Sequence, residues 1–100
     1  MIKHIVVWRL KDQANGNSSQ ENAVQIKEKL EALNGRIDGM IRLEIGIDFS
    51  RTEESADIVL YSEFESKEAL ENYQTHPEHR AVMPFVMEAR SERRMVDYEI

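Results

Sequence analysis

The 100-residue chain has no cysteine, so disulfides, thiolate nucleophiles and cysteine-ligated metals are excluded. It has only four glycines and two prolines. The glycines do not gather into a phosphate-binding loop, and no nucleophile-elbow pattern is present. No stretch approaches the ~18 apolar residues of a membrane helix. The apolar run at Met1–Arg9 is too short for a signal peptide. These absences predict a soluble cytoplasmic protein with no membrane partner. Positive charge is also scarce: 13 basic side chains face 19 acidic ones, a formal net charge of −6. That balance argues against a nucleic-acid partner. The one basic cluster, Arg90, Arg93 and Arg94, is interleaved with Glu88 and Glu92 and reads as a solvated or salt-bridged face.

What is present is an ordinary globular mixture, 41% hydrophobic and 32% charged. The length predicts a single domain over residues 1–100. Residues 2–10 alternate as a strand, with Ile2, His4, Val6, Trp8 and Leu10 on one face and Lys3, Ile5, Val7 and Arg9 on the other. Residues 12–18 are polar and carry Asn15-Gly16-Asn17 as a loop signal. Ser18 and Glu21 have capping-box spacing, and Ala23, Ile26, Leu30 and Leu33 recur at helical spacing. A helix is predicted over 19–34, with Gly35 as its stop.

Residues 41–49 predict a strand with Ile41, Leu43, Ile45, Ile47 and Phe49 on one buried face. Another strand follows over 57–65. Ser66 caps a helix that Pro77 must end, and Pro77 suits the first position of the next helix. Pro84 is expected to limit or kink that second piece, and a last strand is predicted over 93–99. The order β-α-β-β-α-β is ferredoxin-like, an α+β fold with a four-stranded antiparallel sheet and helices on one side. Apolar residues on the other face (Ile5, Val7, Val59 and Tyr61) predict a homodimer that pairs through that face.

The run Tyr73-Gln74-Thr75-His76-Pro77-Glu78-His79 holds two of the three histidines. If Pro77 opens a helix, His79 lies in its first turn, where the helix dipole lowers the imidazole pKa. A neutral imidazole is a usable base near pH 7, and Tyr73 and His4 can share its cavity. Such a set suits proton abstraction beside a carbonyl or an aldol-type condensation, without metal or covalent intermediate. The competing reading is structural: His76 caps the second half-helix, His79 bonds a carbonyl in the joint, and Tyr73 is core. The spacing His76-Pro77-Glu78-His79 lacks the i, i+4 histidines of a zinc helix. No metal or other cofactor is expected.

Several segments resemble one family. Ile2-Lys3-His4-Ile5-Val6-Val7-Trp8, Leu43-Glu44-Ile45-Gly46, Ser62-Glu63-Phe64-Glu65-Ser66, Tyr73–His79 and Val96-Asp97-Tyr98 are similar to signatures of the stress-responsive dimeric α/β-barrel (Dabb) domain. The resemblance spans nearly the whole chain. It implies a ferredoxin-like fold that dimerises through its sheets into a barrel. It also implies relatedness to a plant polyketide cyclase whose catalytic tyrosine and histidine match Tyr73 and His79, and whose pocket histidine matches His4. On that basis His79 and Tyr73 are the candidate catalytic residues, and His4, Val6, Trp8, Leu60 and Gln74 the candidate substrate-binding ones. Trp8, Gln74 and Arg93 depart from the cyclase, whose pocket is smaller-sided and apolar there, so a long alkyl polyketide is not the expected ligand. Two functions remain open: a small cofactor-free cyclase-like or lyase-like enzyme, or a non-catalytic stress-response or ligand-binding dimer in which the Tyr/His motif is structural.

Overall fold

A computed structural model describes residues 1–100. The elements in chain order are β1 (Ile2–Leu10), β2 (Gln13–Ala14), β3 (Asn17–Ser18), α1 (Ser19–Glu31), β4 (Met40–Ile47), β5 (Ile58–Phe64), α2 (Lys67–Thr75), α3 (Pro77–Ala89) and β6 (Arg90–Glu99). The four long strands form one antiparallel sheet in the order β4-β5-β1-β6. This is the ferredoxin-like arrangement, with β1 central and hydrogen-bonded on both edges. All five inward-alternating residues Ile2, His4, Val6, Trp8 and Leu10 are buried, as the pattern requires. The four apolar ones join Ile58, Leu60 and Phe64 of β5 and the apolar faces of the helices in a core of 19 residues.

The helices start where side-chain caps allow. Ser18 and Glu21 form both halves of a capping box, Glu21 N–H donating to Ser18 Oγ at 3.2 Å and Ser18 N–H to Glu21 Oε1 at 2.9 Å. Ser66 Oγ accepts from Ala69 N–H at 3.1 Å, and Pro77 occupies the first turn of α3.

Several expectations are corrected. The polar segment 12–18 is a two-residue hairpin rather than a plain loop, because Asn15 and Gly16 both take positive φ (55° and 75°), the requirement of a tight hairpin turn. Helix α1 ends at Glu31, three residues early, and Leu33 reaches the core from the following turn. In β4 the register shifts between Met40 and Arg42. That irregularity puts Met40 inside with Leu43 and Ile45 and turns Ile41 out. Ile47 keeps the parity of Leu43 and Ile45 but is exposed at the end of the strand, and Phe49 lies beyond it. Pro84 does not end α3; it lies at an exposed position, where water can satisfy the carbonyl that its missing N–H leaves free. Strand β6 begins at Arg90, three residues before the expected start.

The helices lie over β4, β5 and β1, and none packs extensively across the edge strand β6. Every residue from Ser91 to Glu99 is exposed in the single chain. The basic cluster in this region makes no ion pair and is solvated. The helix-free face of the sheet carries Ile5, Val7 and Val59 half-buried and Val96 and Tyr98 exposed. A polar group sits beside them: Lys3 Nζ donates to Tyr61 Oη and to Glu63 (3.2 Å), and Tyr61 Oη donates to Glu63 at 2.5 Å. No helix is long and apolar enough to cross a membrane.

Gly39 joins the turn after α1 to β4 at φ +83°, and a Cβ there would meet Ala69 Cβ at 2.5 Å. Gly35 has a similar φ of +80° but open space around it. Gly35→Ala should cost about 1 kcal/mol, the left-handed strain alone. Gly39→Ala adds overpacking against α2 and should cost roughly 2–4 kcal/mol. Urea unfolding of the two variants checks this; equal losses would show that α2 can shift freely.

Candidate functional site

The joint between α2 and α3 follows from the sequence Thr75-His76-Pro77. Proline has no N–H and keeps His76 extended (φ −63°, ψ 136°), so α2 cannot run on into α3. Breaking the helix leaves carbonyls at the end of α2 and N–H groups at the start of α3 without helical partners. The Glu78 N–H donates to His76 Nδ1 at 3.1 Å, so His76 is the cap of α3. The Gln74 carbonyl, whose helical partner would have been that N–H, instead meets His79 Nδ1 at 3.2 Å. A carbonyl can only accept, so Nδ1 carries the hydrogen. In the neutral ring, Nε2 then holds the free lone pair.

His79 stacks on Tyr73, with ring centroids 4.4 Å apart. Tyr73 in turn packs against Phe64 (5.1 Å) and His4 (6.2 Å). The chain of rings thus runs from the joint to the central strand. His79 is half-buried and Tyr73 only 1% exposed. Burial lowers the His79 pKa from 6.5; the Gln74 carbonyl opposes this, and the nearby His4 and His76 rings reinforce it. The direction expected is found, but its cause is burial rather than the helix end. Burial also pushes the Tyr73 hydroxyl well above its ordinary value, while Arg93 draws it the other way. Tyr73 therefore stays protonated at neutral pH and acts as a hydrogen-bond donor. Its hydroxyl makes no hydrogen bond within the chain and is not among the atoms sealed from solvent without a partner.

His4 is 3% exposed and its Nδ1 lies 2.5 Å from Asp97 Oδ1. A carboxylate can only accept, so this contact fixes the hydrogen on Nδ1 and leaves Nε2 for a second partner. Asp97 was not singled out from the sequence as a site residue. The register is what finds it: His4 and Asp97 are direct partners across β1 and β6. Ser62 Oγ donates to the His4 carbonyl at 2.8 Å and ties the same point to β5.

The other candidate residues divide. Val6 and Leu60 face one another across β1 and β5 and are fully inside the core. Trp8 is also in the core, and its Nε1–H is the one fully buried side-chain polar atom without a partner. Gln74 is exposed, and its carbonyl rather than its side chain holds His79. A groove of about 380 Å³, lined by Ile2, Lys67, Leu70, Asp97, Tyr98 and Glu99, reaches Asp97 from the α2 side.

The unfolded chain binds more protons than the folded one between the ordinary histidine pKa of 6.5 and the lowered pKa of His79, so stability rises with pH there. His79 thus contributes a loss of stability as pH falls below about 6.5 and none above it. Thermal melts from pH 5 to 8 should show this slope, and His79→Gln should flatten it. A variant that keeps the full slope would assign it to other groups.

No curated protein matches the chain in sequence. Solved structures do. A dimeric protein of unknown function with a ferredoxin-like fold from Bacteroides fragilis is 34% identical, with a TM-score of 0.87 over 99% of this chain and 95% of that one. A Dabb family protein from Mesorhizobium loti is 26% identical, with a TM-score of 0.73 and 99% and 95% coverage. The hydroxynitrile lyase of Passiflora edulis is 20% identical, with a TM-score of 0.81 and 99% and 92% coverage, and shares the fold. The family model of the stress responsive A/B barrel domain matches residues 2–100. The chain therefore belongs to the stress-responsive A/B barrel (Dabb) domain family.

Proposed function

We propose that the chain is a cofactor-free acid–base enzyme of the cyclase-like or lyase-like kind, working as a homodimer on a small carbonyl compound. The observation that carries this is the pairing of His79 with Tyr73. One side chain is held neutral with Nε2 free, and the other is a buried, protonated donor with no protein partner. A donor with no bond inside the chain, beside a neutral base, suits a ligand oxygen. In this reading His79 Nε2 removes a proton from the substrate. The Tyr73 hydroxyl donates a hydrogen bond to the carbonyl oxygen, where negative charge develops. Such proton transfer needs no metal or redox group. His4, held by Asp97, binds beside them, with Val6, Trp8 and Leu60 as the apolar floor and Gln74 at the rim.

The Passiflora edulis hydroxynitrile lyase has the same fold and suggests one reaction to try. Removal of a cyanohydrin hydroxyl proton, cleavage of the C–CN bond and departure of cyanide would leave the aldehyde. Mandelonitrile cleavage, followed by benzaldehyde absorbance, tests the lyase arm. Deuterium uptake by acetylacetone, above the buffer rate, tests proton abstraction next to a carbonyl. On whichever probe is turned over, His79→Gln and Tyr73→Phe should each lower kcat by roughly 10²–10⁴-fold. Because the hydroxyl has no partner, Tyr73→Phe should keep stability within about 1 kcal/mol of the parent. Undiminished turnover in His79→Gln sinks the catalytic assignment.

A second reading has its own support. None of the five principal grooves is lined by Tyr73 or His79. That favours a non-catalytic ligand-binding or stress-response dimer in which the joint is structural. It predicts a marked stability loss in His79→Gln and no turnover of any probe.

Dimerisation rests on the apolar helix-free face and on relatives described as dimeric. Light scattering should give the mass of two chains. Val7→Lys, which puts a charge in the middle of that face, should shift the protein toward one. A single-chain mass for the parent would overturn the assembly.

A further inference from the structure

The helix-side face of the sheet continues beyond the helices onto β6, where nothing covers it. Residues opposite one another in an antiparallel pair share a face. Trp8 is paired with Arg93, Val6 with Met95 and His4 with Asp97, so these three β6 residues extend the buried face of β1 into an open shelf. One end of the shelf adjoins Tyr73: His4, which bonds Asp97, has its ring 6.2 Å from that of Tyr73.

Two donors at this shelf lack partners. The Trp8 indole N–H, in the core beneath it, is buried and unbonded, an uncommon state for a strong donor. Arg93, paired with Trp8 across the strands and so on the same helix-side face, makes no ion pair, although the chain has an excess of acidic side chains. Its charge also draws the Tyr73 hydroxyl pKa down against burial. A guanidinium, an indole N–H and a phenol hydroxyl are all donors. A set of donors with one fixed positive charge is matched by an anion with several acceptor oxygens, and a planar carboxylate fits the guanidinium fork.

We propose that Arg93 and Trp8 form the anchoring half of the site, and that it takes a small ligand carrying a carboxylate beside its carbonyl group. The proposal deepens the acid–base reading above: Arg93 holds the carboxylate at the shelf and so sets the carbonyl toward Tyr73 and His79. Arg93 is a binding and specificity residue in this scheme, not a proton-transfer group.

Trp8 is the only tryptophan, so its fluorescence reports the shelf directly. The full-length protein is titrated with acetoacetate and, separately, with acetylacetone, which replaces the carboxylate by a neutral acetyl group. Acetoacetate should change the Trp8 emission saturably and bind more tightly than acetylacetone. Arg93→Gln should weaken acetoacetate by roughly tenfold or more while leaving acetylacetone unchanged, and Arg93→Lys should recover part of the loss. Arg93 is exposed, so both variants should fold, and melting curves of each serve as the control. Trp8→Phe removes the N–H together with part of a buried ring, so it should lower the melting temperature; at a temperature where the variant stays folded it should also weaken acetoacetate in a calorimetric titration. Equal affinity for the two probes, no binding of acetoacetate, or an unchanged affinity in Arg93→Gln would each overturn the proposal. Binding does not require turnover, so the two readings fail separately. Arg93-dependent acetoacetate binding with no proton exchange keeps the carboxylate site and overturns the catalytic reading. Exchange of acetylacetone without carboxylate preference does the reverse.

Discussion

Strand β1 is hydrogen-bonded on both edges, and its register against β5 and β6 decides which side chains share a face. A shift of one residue would move His4, Val6 and Trp8 from the core to the open face, because the strand period is two. The buried set Ile2, His4, Val6, Trp8 and Leu10 locks that register through burial of apolar surface. With it locked, Asp97 falls opposite His4 and Arg93 opposite Trp8. The polar chemistry of the helix side therefore depends on an apolar constraint. The same register sends Ile5, Val7, Val59, Tyr61, Val96 and Tyr98 to the other face, where the helices cannot cover them.

The second constraint is the helix break. Pro77 removes an N–H and holds His76 extended, which frees the Gln74 carbonyl and gives His79 Nδ1 its partner. The side chain of His76 closes the gap at the start of α3. One joint thus fixes a cap, a tautomer and a ring stack. Tyr73 has a different origin: it ends up buried because α2 lays its apolar stripe on β1, β4 and β5. The bonds that build the joint also set the tautomer of His79 beside Tyr73, so a structural role and an acid–base role are not mutually exclusive here.

Much of the fold was legible because its signals are local. Alternation in 2–10, the capping box at Ser18 and Glu21, the Ser66 cap and the position of Pro77 each act within a few residues. The misreadings also have local causes that only three dimensions reveal. A register irregularity near Met40 cannot be seen in a run that alternates well, which is why Ile41 reads as buried; Ile47 is exposed because it is the last residue of β4. Pro84 sits within α3 on its exposed side, where water can take the carbonyl left free, and the helix continues to Ala89. In the site, His4, Tyr73 and His79 could be singled out by residue type and by resemblance. Asp97 could not, because its pairing spans 93 positions in the chain.

The sequence by itself determined the order of the main elements, the helix caps and the break at Pro77. Those follow from backbone sterics and side-chain chemistry over short distances. Tertiary structure alone decided which nitrogen of each histidine is free, which donors lack partners and that β6 lies uncovered beside the joint. Each of these depends on what stands across a strand pair or a helix packing contact. Desolvation and hydrogen-bond satisfaction depend on surroundings drawn from distant parts of the chain, and only the folded arrangement supplies them.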